Sequence, residues 1–336
     1  MISGSYPPEP CGVGDYTKKI FLALKDTKIN IQILTNTKWS ILQIFEIFKK
    51  INKINPDIIH IQFPSAGFGY GIVPQILSLK YKTIVTVHEV SAFHPLRKAW
   101  LVPFSIKSEI VFTSLFEYKT FKKIFPWYNK KAIVIPIGSN LDDFFENYPD
   151  FKDRNPNTII YFGLIRPKKG IEDVIQLAGL LKEASLNYRV KIIGQVLDKN
   201  LDYFIQLKKS AADLPVDWAI NLSATMVSAE LAKHVIAYLP FPDGASERRG
   251  SLFATMKSQM LIYTTKGVQT PIALDKTVTY IKTPAELLYI LRNSTPDDFN
   301  RQFVNKNEAI KSFITSIEWP KIATKHLDLY DSYFNL

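Results

Sequence analysis

Short runs of apolar, often β-branched residues alternate along the chain with stretches whose apolar positions recur every three or four residues. The first kind reads as buried strand, the second as amphipathic helix. Strands are predicted at 29–34, 57–63, 83–87, 109–113 and 132–136, then at 158–162, 189–193, 218–222, 234–239, 260–264 and 277–280. Helical periodicity lies between them, for example at 16–24, 41–53, 171–184, 201–212, 228–233 and 284–293. This alternation predicts an α/β protein with parallel sheets covered by helices on both faces. The polar, proline-bearing stretch 146–157 interrupts the pattern near the middle and marks a boundary, 1–150 against 151 onward, between two doubly wound domains. In such sheets ligands bind beyond the carboxyl ends of the strands, so the loops that leave strands are where chemistry is sought.

Composition narrows the class. With 336 residues, 46% hydrophobic and 22% charged, the chain is globular rather than disordered, collagenous or disulfide-stapled. The single cysteine, Cys11, has no internal partner, and one thiol with 5 scattered histidines makes no zinc site. A cytosolic protein without structural metal is therefore expected. No run approaches the roughly 18–20 apolar residues of a membrane span, and the start, MISGSYPPEP, lacks the features of a signal peptide.

Charge adds a partner. Lys plus Arg number 42 against 31 Asp plus Glu, a net charge of +11 that fits a nucleic acid, an acidic membrane face or a phosphorylated small molecule. No helix-turn-helix, RNA-recognition or zinc-finger pattern is present, so no nucleic-acid partner is expected. Within the first half, residues 97–131 carry the whole basic excess, with Arg97, Lys98, Lys107, Lys119, Lys122, Lys123, Lys130 and Lys131 against Glu109 and Glu117. They are interleaved with Trp100, Phe104, Phe112, Phe116, Tyr118, Phe121, Phe125, Trp127 and Tyr128. That mixture suits docking on an anionic membrane surface; the other reading is that half of these aromatics are core.

Five loops hold candidate chemistry. In residues 7–16, Gly12 and Gly14 precede a helix and would let backbone N–H groups approach an anion, although a tight turn needs the same residues. The third glycine of the dinucleotide fingerprint is missing. In residues 57–71, His60 reads as a core residue, and Gly67, Gly69 and Gly71 as a flexible loop or a cleft lining. His88 and Glu89 end a predicted central strand, where an imidazole can donate to a sugar or phosphate oxygen. Arg166, Lys168 and Lys169 stand at a helix entry that the helix dipole makes unfavourable for cations. A bound pyrophosphate would account for them, as would a solvated turn. The stretch 239–257 joins Glu247, Arg248, Arg249, Gly250 and Ser251 at a strand-to-helix turn able to hold a sugar hydroxyl beside a phosphate.

In order, these loops resemble glycosyltransferase family 4, retaining enzymes of the GT-B fold used in bacterial surface polysaccharide assembly. The likeness runs over nearly the whole chain: YPPEPCGVGDYT resembles the family's glycine loop, TVHE its strand-end histidine, and VFTSLFEYKTF with VIPIGSNL the end of its first domain. FGLIRPKKGIEDVI resembles the opening of the second domain, and IEWPKIA the start of a terminal helix. The resemblance implies two Rossmann-like domains facing across a cleft: an acceptor-side domain at 1–150, a nucleotide-sugar domain at 151–315 and a helix at 316–336 crossing back. It gives Lys169 the place of the phosphate-binding lysine and Glu247 that of the first glutamate of a Glu-x7-Glu motif, on the donor sugar. Gly250, Ser251 and Leu252 would offer N–H groups to the diphosphate, joined by Arg166, Arg249, Gly12 and Gly14, and His88 would sit near the transferred sugar.

Three departures stand out. Thr255 replaces the second glutamate, which should hold the ribose; Leu164 replaces a basic residue, with Arg166 two positions on; and the first strand is nearly absent. The implied reaction is metal-independent, cofactor-free retaining transfer from a nucleotide sugar to a saccharide or lipid-linked acceptor, with cations and helix starts neutralising the departing diphosphate. It would occur in the cytoplasm or peripherally on the cytoplasmic face of the inner membrane, in polysaccharide or lipopolysaccharide synthesis. Asp142-Asp143 and Asp297-Asp298 read as a domain-end turn and a helix start rather than a metal-binding Asp-x-Asp. The alternatives are a catalytically silent GT-B binding or scaffold protein and a nucleotide-sugar epimerase of the same fold.

Overall fold

The computed structural model describes residues 1–9, 11–35, 38–91, 93–138 and 148–334. The expected turn at Asp142-Asp143, the end of the VIPIGSNL stretch and the first two residues of the 146–157 boundary segment lie outside the described residues. The chain divides into two units, Met1–Asn140 with Ile317–Leu336, and Leu141–Ser316.

The first unit contains β1 (Ile2–Ser3), α1 (Gly12–Leu24), α2 (Ile44–Ile54), β2 (Ile59–Phe63), α3 (Val73–Lys80), β3 (Thr83–Val87), α4 (Pro95–Ala99), α5 (Val102–Lys107), β4 (Glu109–Phe112), α6 (Leu115–Ile124) and β5 (Ile133–Val134). Its strands form one parallel sheet in the order β1-β2-β3-β4-β5. Side chains alternate across it. Val85, Val87, Ile110 and Phe112 join the core beneath α2, α3, α5 and α6, whereas Ile84 and Val111 join Tyr16, Ile20 and Leu24 of α1 on the other face.

The predicted strand at 29–34 does not form. The segment runs beside β1, with Leu34 N–H donating to the Met1 carbonyl at 2.8 Å, but makes only an isolated bridge, Ile2 to Leu34. Its neighbour is a two-residue strand, too short to template a longer one.

The second unit contains β6 (Asn155–Leu164), α7 (Ile171–Glu183), β7 (Arg189–Gln195), α8 (Leu201–Ser210), β8 (Val216–Ile220), α9 (Ala224–Ala232), β9 (His234–Leu239), α10 (Gly250–Lys257), β10 (Leu261–Thr264), β11 (Thr279–Tyr280), α11 (Pro284–Asn293) and α12 (Pro296–Ser316). Its six strands are parallel, ordered β11-β10-β9-β6-β7-β8. The central strands are buried on both faces: all six residues of β9 and all four of β10 are inside. The expected helix start at Asp297-Asp298 forms as α12, where Asp298 accepts from Thr295 N–H at 2.9 Å.

The last helix, α13 (Trp319–Phe334), belongs to the first unit. Ile322, Ala323, Leu329 and Tyr330 pack with α1 against the sheet. Gly138 admits its start: an added Cβ would lie 2.9 Å from the Trp319 ring. Among the described residues no helix is long and apolar enough to cross a membrane.

The aromatic residues of 97–131 mostly build core. Phe104, Phe112, Phe121, Phe125 and Tyr128 are buried, with Phe112 and Phe121 ring centroids 5.2 Å apart. Trp100, Phe116 and Tyr118 are half-buried, and Trp127 is 55% exposed. The interleaving seen in the sequence is thus the inside–outside alternation of α5, β4 and α6, which leaves Trp127, Ile106, Lys107, Lys119, Lys123 and Lys131 on the surface.

Candidate functional site

In the second unit, two loops leave adjacent parallel strands, β6 and β9, and lead into α7 and α10. Gly170 joins them. It caps α7 at φ +75°, and a Cβ added there would lie 1.8 Å from the Pro240 carbonyl oxygen at the end of β9. Only glycine meets both the left-handed backbone and that approach. Lys168, two residues earlier, is also left-handed, at φ +64°, so left-handed residues flank Lys169 on both sides, and Lys169 lies within electrostatic reach of Arg249 and Asp243 of the second loop.

Three cations meet here. Lys169 is held down to about 8, first by burial and then by Arg249 and Arg166, with Asp243 acting the other way. Arg249 is also lowered, by burial first, despite its ion pair with Asp243. Its guanidinium stacks 4.8 Å from the Phe241 ring, and its Nε is buried without a partner among the described residues. Like charges sharing a partly buried place destabilise one another, and a bound anion would offset that.

Glu247 precedes Arg248 and Arg249 in the same loop and is paired with neither: Arg248 donates to Gln269 and Arg249 to Asp243. Burial alone raises its carboxyl above the usual range. A half-buried carboxyl of this kind is suited to accept from ligand hydroxyls.

The helix start beside them is open. Gly250 opens α10 with nothing within 4 Å of an added Cβ, and the residue before it, Arg249, offers no acceptor to cap the first turn. Leu252 departs from expectation, because its N–H already donates to the Arg249 carbonyl at 2.9 Å. Gly250 and Ser251 are the residues of the first turn still suited to meet an anion. Thr255 departs as well. It is fully buried, and its hydroxyl donates back to Leu252 O at 2.9 Å and Ser251 O at 3.2 Å, so it is turned onto its own helix rather than outward. Leu164 is 40% exposed at the end of β6.

The first unit carries the other candidates. Gly14 is buried, and a Cβ there would meet the Ser5 carbonyl oxygen at 2.9 Å, so packing of α1 on the loop after β1 demands this glycine. Gly12 is exposed, with open space around it. Burial would raise the Cys11 thiol, but the amides of Ala66, Gly14 and Val13 and the Ser65 hydroxyl together bring it below its usual range; none of these contacts amounts to a helix-cap bond. The Gly67 loop is packed rather than merely flexible: a Cβ there would lie 2.0 Å from the Gly4 carbonyl oxygen, and its N–H donates to Ser5 Oγ at 2.7 Å.

His88 follows β3 and is 6% exposed. Its Nε2 lies 3.0 Å from Gln62 Oε1, its ring meets Tyr16 edge-on at 4.8 Å, and burial holds its pKa at about 3. The loop after it is fixed by Glu117, a fully buried carboxylate on α6 that accepts from Val90 N–H at 2.7 Å, Ser91 N–H at 2.9 Å and the Ser91 hydroxyl at 2.7 Å. Ser114 caps α6 by accepting from Glu117 N–H at 3.2 Å, so the Ser-x-x-Glu pattern serves the helix at one end and the His88 loop at the other. Sequence reading passed over Glu117 and Gln62. For Gln62 the signal was there: His60 and Gln62 on β2, and Thr86 and His88 on and after β3, are period-two polar positions within runs otherwise apolar.

A cavity of about 420 Å³ lies elsewhere, lined by Met1, Gln32, Ile59, His60 and Tyr330 among others. It opens at the amino ends of β1 and β2, opposite to the loops just described.

No family model matches the chain, and no curated protein matches it in sequence. Solved structures do. A glycosyltransferase from Rickettsia africae aligns over 90% of this chain and 84% of its own at 15% identity, with a TM-score of 0.66. HepE from Anabaena, solved with UDP and glucose, aligns over 100% and 99% at 12% identity, also with a TM-score of 0.66. WaaG, a glycosyltransferase involved in lipopolysaccharide biosynthesis, aligns over 98% and 97% at 11% identity, with a TM-score of 0.60. At these identities the likeness is one of fold: two parallel sheets, of 5 and 6 strands, in the GT-B architecture.

Proposed function

We propose that this chain is a glycosyltransferase that moves a sugar, with retention, from a nucleotide-sugar donor to a saccharide acceptor, lipid-linked, in cell-surface polysaccharide or lipopolysaccharide synthesis. One observation carries the reading: Arg166, Lys169 and Arg249 converge at the carboxyl ends of β6 and β9 with Asp243 as their counter-charge, beside the open start of α10. That is a diphosphate site by its chemistry. Charge-assisted hydrogen bonds and first-turn amides would hold the leaving group and neutralise it as the glycosidic bond breaks.

In this reading Glu247 accepts from hydroxyls of the donor sugar, and the departing phosphate takes the acceptor's proton on the same face, so that configuration is retained. Gly12 contributes the opening of α1 on the acceptor-side unit, and no metal is called upon. The exposed Trp127, Ile106 and surrounding lysines supply the docking face for anionic lipid on the cytoplasmic side of the membrane, in place of the larger aromatic set.

A second reading, a catalytically silent GT-B binding protein, draws on the inward-turned Thr255 and on Leu164. Ligand-observed NMR with a panel of UDP-, GDP- and dTDP-sugars, followed by transfer assays, separates the two. The transferase reading expects binding and turnover, both lost or sharply reduced in Lys169→Ala and Glu247→Ala. Binding without turnover favours the silent protein, and wild-type turnover in both variants removes the site assignment.

A further inference from the structure

Behind His88 lies a continuous buried chain of polar groups. Gln62 is fully buried, with Oε1 3.0 Å from His88 Nε2 and Nε2 3.2 Å from His60 Nε2. Thr86 Oγ1 lies 2.7 Å from that same nitrogen of His60, and Tyr330 Oη of α13 lies 2.6 Å from His60 Nδ1.

In this orientation the Gln62 amide sets the protons. A carbonyl oxygen only accepts, so the hydrogen between Gln62 and His88 belongs to His88 Nε2. An amide nitrogen only donates, so His60 Nε2 accepts, from Gln62 and from the Thr86 hydroxyl, and the His60 hydrogen is on Nδ1, donated to Tyr330. Neutral His88 therefore keeps a lone pair on Nδ1, the ring nitrogen that Gln62 does not engage. Burial keeps the ring neutral, with a pKa of about 3.

We propose that Gln62 is a positioning residue that sets the tautomer of His88, making Nδ1 a hydrogen-bond acceptor whose partner is a hydroxyl group and not a phosphate oxygen. An anionic oxygen opposite that lone pair would be repelled, whereas a sugar O–H completes the chain from Tyr330 through His60, Gln62 and His88 to the ligand. The sugar as ligand rests on the transferase reading above; the tautomer does not.

The test is long-range ¹H–¹⁵N correlation on the full chain labelled with ¹⁵N-histidine at pH 7.5, its 5 histidines assigned by substitution. The expected result is Nε2–H with a bare Nδ1 at His88, recorded without any donor present. Gln62→Glu keeps the acceptor for His88 and loses the donor to His60, so His88 stays Nε2–H while His60 loses its Nδ1–H preference. Gln62→Leu releases His88 from the Nε2–H form. In transfer assays Gln62→Leu lowers kcat about tenfold, the size of one hydrogen bond lost in the transition state, with donor KM little changed. An Nδ1–H tautomer in the wild-type chain, an unchanged tautomer in Gln62→Leu, or a switched one in Gln62→Glu overturns the proposal. Absence of transfer with the Nε2–H tautomer present counts against the transferase reading alone.

Discussion

Tyr16 Oη and His326 Nε2 lie 2.9 Å apart in the interior of the first unit, although 310 residues separate them in the chain. Both side chains are buried, and His326 Nδ1 has no other partner among the described residues. Tyr16→Phe leaves a ring nitrogen buried and unpaired, which costs about 1–3 kcal/mol. The double variant Tyr16→Phe/His326→Phe removes both polar groups and is expected to lose less than the sum of the two single changes. Urea unfolding of the four proteins measures this, and strict additivity would show that the pair is not coupled.

Lys169 gives the diphosphate site a pH signature. Its pKa of about 8 in the free protein rises when an anion binds, so binding takes up a proton wherever the free amine has lost one. Affinity for a nucleoside diphosphate is accordingly level below pH 8 and falls above it, by up to about tenfold per pH unit. Lys169→Arg, which stays charged, flattens the profile. Calorimetric titration between pH 6.5 and 9.5 reads the slope; a flat wild-type profile would detach Lys169 from the anion.

Glu247→Gln separates stability from function. The substitution replaces a half-buried carboxyl, unpaired with its arginine neighbours, by an amide of the same size, so the folded state is expected to gain up to about 1 kcal/mol. Transfer falls by on the order of 100-fold, as when a group placed for the transition state is lost. Thermal melts and turnover numbers on one preparation suffice, and a variant losing stability and activity together would mark Glu247 as structural.

Gly170→Ala tests the junction of the two loops. An alanine there meets a left-handed backbone and a carbonyl oxygen within bonding distance of its Cβ, so a loss of at least about 2 kcal/mol is expected. Gly250→Ala, in open space, costs little or stabilises α10. Equal melting temperatures for the two variants would contradict the packing described.

Acid exposes the buried imidazoles. Burial lowers the pKa values of the three buried imidazoles of the first unit from 6.5, to about 3 for His88 and His326 and well below the usual value for His60, whose neighbours His326, the Met1 amine and His88 push the same way; in the second unit burial likewise lowers His234, to about 4. The unfolded chain takes up these protons first. Their contribution to stability is complete above pH 6.5 and is lost as pH falls from there towards 3, at up to about 1.4 kcal/mol per pH unit for each ring. Denaturant midpoints at pH 7.5, 6 and 5 should fall in that order, and less steeply in Tyr16→Phe/His326→Phe.

How far the sequence led depends on how local each signal was. The strands at 83–87 and 234–239 and the helix at 284–293 agree with the structure to the residue, since continuous apolar runs and a Thr-Pro start with Glu two residues after the proline define their own ends. The stretch 29–34 has the same local pattern and fails because its neighbour, β1, is only 2 residues long. Lys169, Glu247 and Gly250 were visible as residue types in strand-end loops, but the inward turn of the Thr255 hydroxyl depends on helix geometry that no spacing records. Gln62 looked like one more residue of a buried strand until Tyr330, from the far end of the chain, closed the network behind it.

Because Ile317–Leu336 belongs to the unit that Met1 begins, the second unit is an insertion within the first. Synthesis therefore completes them in reverse order: residues 141–316 have all their strands before α13 emerges, whereas the sheet carrying His88 waits for His326 and Tyr330. Until then His60 lacks its Tyr330 partner and Tyr16 its His326 partner, so the nascent first unit exposes surface that α13 later covers.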